Sequence, residues 1–265
     1  MTVSTRGTTV AIVQARMGST RLPGKVLLDL HGQPMVIRQL QRLQRAEGLD
    51  RIVVGTSTDP IDDDLAETVL DAGFEVVRGP AEDVLARYVN AIDETEADVV
   101  VRLTADCPLT SPAVIDAVVS HFHGSNADYV SNTMKPTYPD GLDVEVVLAR
   151  VLKTVATVAT DTAEREHVTL GVYRRTDTYR IENVSDPSGR DNSTLRWTVD
   201  TQDDFDFVTE IYRLLLPSQP YFEYQDILDL LATQPELNRT KSDARRNTAL
   251  DGLDTGAMQH PGAIP

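Results

Sequence analysis

The chain contains almost no cysteine and no long apolar run. Cys107 is the single cysteine among 265 residues, so no disulfide can form within the chain. This fits a reducing compartment such as the cytoplasm. No apolar run approaches the length of a membrane span, and residues 1–9 are polar and lack the apolar core of a secretory signal. We therefore expect a cytoplasmic protein with no membrane partner.

Positive charge is also scarce. The chain carries 25 Lys and Arg residues against 41 Asp and Glu residues, which gives a net charge of −16 at pH 7. This composition does not provide the basic surface that binds nucleic acid, so we expect no nucleic-acid partner. If the substrate is an anion, a local group of cations must bind it against an unfavourable overall field.

Hydrophobic residues make up 41% of the chain, which is enough for a sizeable core. In the first half, apolar runs typical of buried strands alternate with segments of helical periodicity. Strands are predicted at 10–13, 51–55, 74–77 and 98–103, and helices at 34–45, from 59 onwards, at 82–95 and at 111–122. The alternation predicts an α/β fold with a mostly parallel sheet covered on both faces.

The second half of the chain is less regular. Strands are predicted at 128–131, 143–147, 179–184 and 195–199, and helices at 150–158, 163–172, 205–216 and 224–231. We interpret residues 8–240 as one domain with a small inserted lobe at about 132–190. Periodicity fades from about residue 235, and residues 241–265 are predicted to form a flexible C-terminal tail.

The loop after the first predicted strand carries the strongest functional signal. Residues 14–25 combine small residues with the cations Arg16, Arg21 and Lys25. Open α/β sheets bind ligands where a buried strand ends, and small residues let backbone N–H groups approach an anion closely. The loop therefore predicts a polyphosphate site, although it is neither a Walker A loop nor a G-x-G-x-x-G fingerprint.

Two carboxylates follow other predicted strands. Asp106 comes after strand 98–103, and Asp200 comes at the end of strand 195–199. The first and fourth strands commonly adjoin in doubly wound sheets, which would bring Asp106 opposite the loop. A carboxylate beside a triphosphate needs a cation between them, so both aspartates are candidate Mg²⁺ ligands. The alternatives are a turn at Asp106 and a helix cap at Asp200, although Thr201 can serve as that cap.

Several blocks of the sequence together resemble a known family. They are the pattern A-R-x-x-S-T-R-L-P-G-K at 15–25 and residues 78–88, 102–109, 128–132, 138–145, 164–169 and 196–200. The chain resembles the acylneuraminate-type cytidylyltransferases, and among them the spore coat polysaccharide biosynthesis protein F family. The resemblance covers about residues 9–240. It implies a Rossmann-like nucleotidyltransferase fold, CTP as the nucleotide, and a homodimer.

The resemblance also implies roles for particular residues. Those implied to hold the nucleotide lie in the loop: Ala15, Arg16, Ser19, Arg21 and Lys25. Those implied to be catalytic are two of these cations and the two Mg²⁺ ligands: Arg16, Lys25, Asp106 and Asp200. The blocks 140–145 and 164–167 would line the acceptor-sugar pocket, with four candidate ligands: Asp140, Glu145, Arg165 and His167.

The resemblance does not identify the acceptor. The 3-deoxy-manno-octulosonate cytidylyltransferases have a Gln-Gly-Asp-Glu-Pro type of segment where this chain has Thr-Ala-Asp-Cys-Pro at 104–108. Asp106 is kept, but the residues around the sugar differ.

The sequence thus predicts an enzyme that activates an acidic sugar for polysaccharide or glycan biosynthesis. A sugar hydroxyl would attack the α-phosphorus of CTP, giving a CMP-sugar and pyrophosphate, with Arg16 and Lys25 stabilising the departing pyrophosphate. Two alternatives stay open. One is a glycosyltransferase that uses a ready-made nucleotide sugar and releases no pyrophosphate. The other is a nucleotide-binding protein without catalysis.

Overall fold

The computed structural model describes residues 7–238, and its central feature is a mixed β-sheet. The strands of this part of the chain are β1 (Thr9–Gln14), β2 (Arg51–Ser57), β3 (Glu75–Gly79), β4 (Val99–Thr104), β5 (Tyr129–Ser131), β6 (Glu145–Leu148) and β7 (Ile181–Asn183). They form one seven-stranded sheet in the order β3-β2-β1-β4-β6-β5-β7. Only β6 runs antiparallel to its neighbours, β4 and β5. The predicted α/β fold with a mostly parallel sheet is confirmed.

Helices cover both faces of this sheet. Within the described residues they are α1 (Met35–Leu43), α2 (Asp63–Asp71), α3 (Val84–Thr95), α4 (Pro112–Gly124), α5 (Ala149–Val158), α6 (Thr162–Glu166), α7 (Leu170–Tyr173), α8 (Gln202–Leu215) and α9 (Tyr224–Thr233). The apolar sides of α1, α4, α8 and α9 pack into one core cluster, and those of α3, α5 and α7 pack into the other. The two layers exclude water from both sides of the sheet.

The alternation of side chains along β1 explains why this strand lies at the centre. Val10 and Ile12 belong to the core on the α3 side, whereas Ala11 and Val13 belong to the opposite core. A strand that is apolar on both faces is stable only inside a covered sheet. The parallel register pairs Gln14 of β1 with Thr104 of β4, so the carboxyl ends of these strands lie side by side, as predicted.

Several helix ends follow the capping chemistry expected from the sequence. The Asp59 side chain accepts a hydrogen bond from the Ile61 backbone N–H (3.1 Å), which caps the 3₁₀ turn Pro60–Asp62. The Ser111 hydroxyl accepts from the Val114 backbone N–H (3.4 Å) at the start of α4. Pro34 differs from the prediction, because it occupies the N-cap position and the helix begins one residue later.

The segment 132–190, predicted as an inserted lobe, contributes to the main sheet. β6 lies between β4 and β5, and β7 pairs in parallel with β5 at the sheet edge. The single helix predicted at 163–172 is two short helices, α6 and α7. It is interrupted at His167, whose φ of −100° and ψ of 80° are not helical. A sugar-binding role for this segment stays a prediction.

The strand predicted at 195–199 is wrong. This segment forms one isolated bridge, between Asp140 and Arg196, and no ladder within the described part of the chain. Its backbone bonds instead reach two different loops. The Trp197 N–H donates to the Asp140 carbonyl oxygen (2.7 Å), and the Val199 N–H donates to the Asp106 carbonyl oxygen (2.8 Å). An extended segment has the same apolar pattern whether it pairs with a strand or with loops. Here its backbone hydrogen bonds go to loops.

Residues 239–265, which include the predicted tail at 241–265, lie outside the described residues. Across residues 7–238, no helix has both the length and the apolar character needed to cross a lipid bilayer.

Candidate active site

A cavity of about 310 Å³ opens at the carboxyl ends of β1 and β4. Its lining includes every residue predicted to bind the nucleotide or the metal: Ala15, Arg16, Ser19, Arg21, Lys25, Asp106 and Asp200. Gln14, Gly18, Thr20, Val26, Thr104 and Ala105 complete the lining. Residues far apart in the sequence therefore meet in one place, at the edge where parallel sheets bind their ligands.

The loop between β1 and the 3₁₀ turn Lys25–Leu27 is held in place by its own backbone and by a buried carboxylate. The Ser19 and Gly24 N–H groups both donate to the Met17 carbonyl oxygen, at 2.8 and 3.2 Å. Gly24 has a φ of 68°, a left-handed conformation that glycine adopts readily. The Met17 N–H donates to Asp62 (2.7 Å), whose other oxygen accepts from the Ser57 hydroxyl. These hydrogen bonds hold the loop at the end of β1.

Lys25 is the central cation of the cavity. It is 9% exposed, and its Nζ donates to the Val199 carbonyl oxygen (2.6 Å) and to Asp200 Oδ1 (3.0 Å). Asp106 Oδ2 lies 3.5 Å from the same nitrogen. One ammonium group therefore joins the two carboxylates that were predicted to share a metal.

Asp200 is surrounded by cations. Arg196 donates to its Oδ2 (2.6 Å), and Arg21 lies 2.9 Å from its Oδ1, which Lys25 also contacts. Burial would raise the pKa of Asp200, but the charges and hydrogen bonds of Lys25 and Arg196, together with the charge of Arg21, lower it below its usual value. Asp200 is therefore a carboxylate at neutral pH.

Arg196 links this carboxylate to a second predicted site. It is 8% exposed, and besides Asp200 it contacts Asp140 Oδ2 (3.4 Å) and Asp204 Oδ1 (3.9 Å). Asp140, predicted to bind the acceptor, is thus connected to Asp200, predicted to bind the metal, through one guanidinium group. The capping role considered for Asp200 falls to its neighbour, because Thr201 caps α8 in a capping box with Asp204.

Asp106 is oriented by Thr104, whose hydroxyl donates to Oδ1 (2.6 Å) and leaves Oδ2 toward Lys25. Burial, and next the charge of Asp106, raise the pKa of the Cys107 thiol well above its usual value. Cys107 is therefore a protonated, buried residue and not a nucleophile.

The donors in the cavity fit a magnesium ion. Asp106 and Asp200 present carboxylate oxygens that converge on the Lys25 ammonium group, at 3.5 and 3.0 Å. Mg²⁺ commonly binds one or two carboxylates together with substrate phosphates rather than a cage made wholly of protein ligands. No group of three or more His, Cys, Asp or Glu side chains suited to a metal occurs among residues 7–238.

Glu145, a predicted acceptor ligand, lies in a buried polar network. Its Oε1 accepts hydrogen bonds from the hydroxyls of Tyr129 (2.6 Å), Thr169 (2.7 Å) and Tyr173, and its Oε2 pairs with Arg102. Burial would raise the pKa of Glu145, but the Arg102 charge and these hydrogen bonds lower it. Every oxygen of this carboxylate already has a partner.

Arg165 and His167 do not line the cavity. All three guanidinium nitrogens of Arg165 are engaged, with Asp83 (3.1 Å) and with the carbonyl oxygens of Ala156 (2.9 Å) and Ala159 (3.1 Å). His167 is exposed at the end of α6. A role in acceptor binding stays a prediction for both residues, and Arg165 would have to exchange Asp83 for the acceptor.

Comparison with known proteins identifies the family. Residues 10–243 match the sequence profile of the cytidylyltransferases. The chain belongs to the cytidylyltransferase family. This confirms the predicted resemblance and the prediction of a CTP-dependent nucleotidyltransferase.

Three relatives illustrate the similarity of this cytidylyltransferase to known proteins. The spore coat polysaccharide biosynthesis protein SpsF of Bacillus subtilis is 32% identical over 232 residues, which cover 85% of this chain and 94% of that protein. The 3-deoxy-manno-octulosonate cytidylyltransferase of Anaeromyxobacter is 40% identical over 116 residues, covering 43% of this chain and 46% of that enzyme. A solved cytidylyltransferase from Leptospira borgpetersenii has a TM-score of 0.83 at 29% identity, covering 90% of this chain and all of that one.

Three residues important to the site of this cytidylyltransferase were not predicted as such. Arg196 lies in the segment 196–200 that carries part of the family resemblance. Only its contacts in the structure reveal that it links three carboxylates. Asp62 lies outside the loop in the sequence, but its carboxylate accepts a hydrogen bond from the Met17 N–H and anchors the loop. Arg102 sits inside a strand, where a cation signals a buried partner. That partner, Glu145, lies on the adjacent strand β6.

Proposed function

We propose that this cytidylyltransferase transfers CMP from CTP to a hydroxyl group of an acidic sugar, with Mg²⁺ as cofactor. The observation that carries the proposal is the convergence of three cations and two carboxylates in one cavity at the ends of β1 and β4. A nucleoside triphosphate needs cations for its phosphates, and a metal between phosphates and carboxylates needs such a pair of aspartates.

The acidic sugar is supported by relatives. The Anaeromyxobacter relative is a 3-deoxy-manno-octulosonate cytidylyltransferase, and the Bacillus relative is a spore coat polysaccharide biosynthesis protein. We propose a related acceptor, a carboxylated sugar destined for a polysaccharide. Asp140, Glu145, Arg165 and His167 stay the candidate residues for its pocket.

The loop residues act on the triphosphate. The backbone N–H groups around Ser19 and the side chains of Arg16 and Arg21 bind phosphate oxygens. The sugar hydroxyl oxygen forms a bond to the α-phosphorus, the bond to the bridging oxygen of the β-phosphate breaks, and the hydroxyl proton is released. Mg²⁺ held by Asp106 and Asp200 would neutralise phosphate charge. The chain contributes mainly position and charge, without a covalent intermediate.

Lys25 has two successive partners in this mechanism. Without nucleotide it neutralises Asp106 and Asp200, at 3.5 and 3.0 Å. If Asp106 and Asp200 hold the metal, the Lys25 ammonium group would be free to contact the phosphates, where its charge would stabilise the departing pyrophosphate. The cation that neutralises the two aspartates would thus also act on the phosphates.

The proposal is tested by pyrophosphate release. Each of the four ribonucleoside triphosphates is incubated with Mg²⁺ and a panel of acidic sugars, and pyrophosphate is measured by a coupled assay. We expect release with CTP and at least one acidic sugar, and much less with ATP or GTP. Release that is absent for every pair would contradict the proposal and favour a glycosyltransferase or a non-catalytic binding protein.

We also propose that the protein is a homodimer in the cytoplasm, because the family resemblance implies a dimer and the cysteine content fits a reducing compartment. Size-exclusion chromatography with light scattering is expected to give twice the 29.2 kDa mass of the chain. A mass of one chain at micromolar concentration would contradict the dimer.

A further inference from the structure

Two buried polar atoms beside the cavity have no hydrogen-bond partner. They are Oε1 of Gln14 and Nε of Arg102, and neither finds a partner among residues 7–238. Most buried polar groups in folded proteins are satisfied, so an exception on a residue that lines a cavity is a candidate contact for a water, an ion or a ligand. One of these atoms is a hydrogen-bond acceptor and the other is a donor.

The sheet register places both residues on the same face. Ile12 pairs with Arg102, and Gln14 pairs with Thr104, two residues further along β1 and β4. Side chains alternate along a strand, so Gln14, Arg102 and Thr104 share the face that carries Ile12. Gln14 and Thr104 line the cavity directly. The unpartnered acceptor and donor are therefore on diagonal neighbours of adjacent strands, with Gln14 in the cavity lining and Arg102 one pleat behind it, outside the lining.

Arg102 cannot turn away to find another partner. Its NH1 is paired with Glu145, and Glu145 is held in turn by the hydroxyls of Tyr129, Thr169 and Tyr173. The nearby Tyr88 hydroxyl donates to the Ile12 carbonyl oxygen (3.3 Å) and leaves Nε without a bond. The network around Glu145 therefore fixes the guanidinium group with one donor unused.

A hydroxyl group is the simplest partner for this pair. It can donate its hydrogen to the Gln14 carbonyl oxygen and accept a hydrogen bond from Arg102 Nε through a lone pair. The negative charge of Glu145, which pairs with Arg102, would disfavour a second anion there. The pair therefore suits a neutral polyol, such as a sugar, rather than a phosphate.

We propose that Gln14 and Arg102 form a subsite that binds one hydroxyl group of the acceptor sugar. The proposal rests on the proposed function and names residues that set its acceptor specificity. Arg102 is anchored by β6, which belongs to the segment predicted to bind the sugar, whereas the cations for the phosphates come from the loop after β1. The subsite thus belongs to the acceptor and not to the nucleotide ribose.

The test compares Gln14→Leu with Thr209→Val in the pyrophosphate assay, with 3-deoxy-manno-octulosonate and N-acetylneuraminate as acceptor probes. Thr209 is the matched control, because its Oγ1 is also buried and unpartnered but it lies in α8 and does not line the cavity. We expect Gln14→Leu to raise the acceptor KM about tenfold, the size of one lost hydrogen bond, and to leave the KM for CTP within about twofold. Thr209→Val is expected to leave both unchanged.

A second measurement identifies the hydroxyl group. Monodeoxy analogues of the active probe are tested with the wild type and with Gln14→Leu. One analogue is expected to lose affinity for the wild type but to lose nothing further in the variant, because both changes remove the same bond. Arg102→Lys, which keeps a charge for Glu145 but has no Nε–H, should give the same pattern if its melting temperature shows that it folds.

Each other outcome overturns the proposal. An acceptor KM in Gln14→Leu equal to that of Thr209→Val would show that the pair holds only water. A raised KM for CTP with an unchanged acceptor KM would assign the pair to the ribose. In both cases the wild type remains active, so the proposed function survives. If the wild type releases no pyrophosphate with either probe, the proposed function fails for these sugars and the subsite fails with it.

Discussion

At the scale of single residues, the site depends on how a few charges are balanced. Lys25 contacts Asp106, Asp200 and the Val199 carbonyl oxygen although it is almost completely buried. A buried ammonium group is stable only with such partners, and two adjacent carboxylates are stable only with a cation between them. The same three side chains therefore stabilise one another, and under the proposed function they would exchange these contacts for a metal and a nucleotide.

Replacing Lys25 by alanine is expected to lower kcat/KM by about 100-fold or more, because a preorganised charge near the reacting phosphates is lost. Lys153→Ala is the matched control, since Lys153 makes an exposed ion pair with Asp93 (2.5 Å) far from the cavity lining. Steady-state pyrophosphate release measures both. Equal kinetics for the two variants would show that Lys25 has a structural role and no role in the reaction.

Asp106→Asn and Asp200→Asn are each expected to lower turnover severely, because each removes one charge from the proposed metal site. If the two residues hold one ion, the double variant should lose little more than either single variant. Mg²⁺ titrations of the CTP-induced shift in melting temperature provide a readout that does not need turnover. Additive losses, or a normal Mg²⁺ dependence in one variant, would show that the two aspartates do not bind the same ion.

Glu145→Gln is expected to lower the free energy of unfolding at pH 7 by about 3 kcal/mol, because it leaves Arg102 buried without its charge partner. Since the folded pKa of Glu145 is lowered, this stabilisation is complete above the usual glutamate value, about 4.3, and is lost as the pH falls below it. Urea unfolding at several pH values should therefore show the wild type and the variant converging in acid.

Glu75→Gln is the control for that comparison. Glu75 pairs with Arg51 on the surface, where an ion pair contributes about 1 kcal/mol or less. A gap between the wild type and Glu145→Gln that stays constant from pH 7 to pH 3 would contradict the assignment of a lowered pKa.

At the scale of elements, the extended segment 195–200 determines where Asp200 lies. Its backbone bonds to Asp140 and Asp106 join the loop after β4 to the loop before β6. Gly141 permits this approach: its φ is 108°, and a Cβ there would lie 2.9 Å from the Trp197 carbonyl carbon. A strand-like sequence thus serves as a connector between loops.

Gly141→Ala is expected to destabilise the fold by about 2 kcal/mol or more and to lower activity, because both the backbone angle and the contact with Trp197 are disturbed. Gly189→Ala separates these causes, since Gly189 has a φ of 73° but open space around its Cβ position. Its loss of stability should be smaller, with normal kinetics in the folded fraction. Chemical denaturation and kinetics at 25 °C check both. If the Gly141→Ala variant were active and stable, Gly141 would not be required for the contact between segment 195–200 and the loop before β6.

The strands and helices of the first half could be predicted from the sequence because local patterns determine them: β1 is an apolar run, and α4 starts with a capping serine and a proline. The segment 195–199 could not be assigned this way, because an apolar alternation looks the same whether its partner is a strand or two loops. Likewise, the loop predicted a phosphate site, but the contact between Lys25 and Asp200, 175 residues apart, exists only in the folded chain.

At the scale of the whole molecule, the order of the strands brings several of the few positive charges together at one cavity. The chain has a net charge of −16, yet Arg16, Arg21 and Lys25 line one cavity at the ends of the central strands. Cytidylyltransferase family membership agrees with this arrangement, since a triphosphate must be bound locally against the overall field. We propose that this cavity transfers CMP from CTP to a sugar hydroxyl.

The most direct test follows the phosphates of CTP. The protein is incubated with Mg²⁺, an acidic-sugar panel and CTP labelled with ³²P either at the α- or at the γ-phosphate. The account predicts that the α-label moves into a new CMP-sugar while the γ-label appears in an equimolar amount of pyrophosphate, and that Lys25→Ala loses both while Lys153→Ala keeps both. An α-label that never joins a sugar, or a sugar product formed without release of the γ-label, would contradict it.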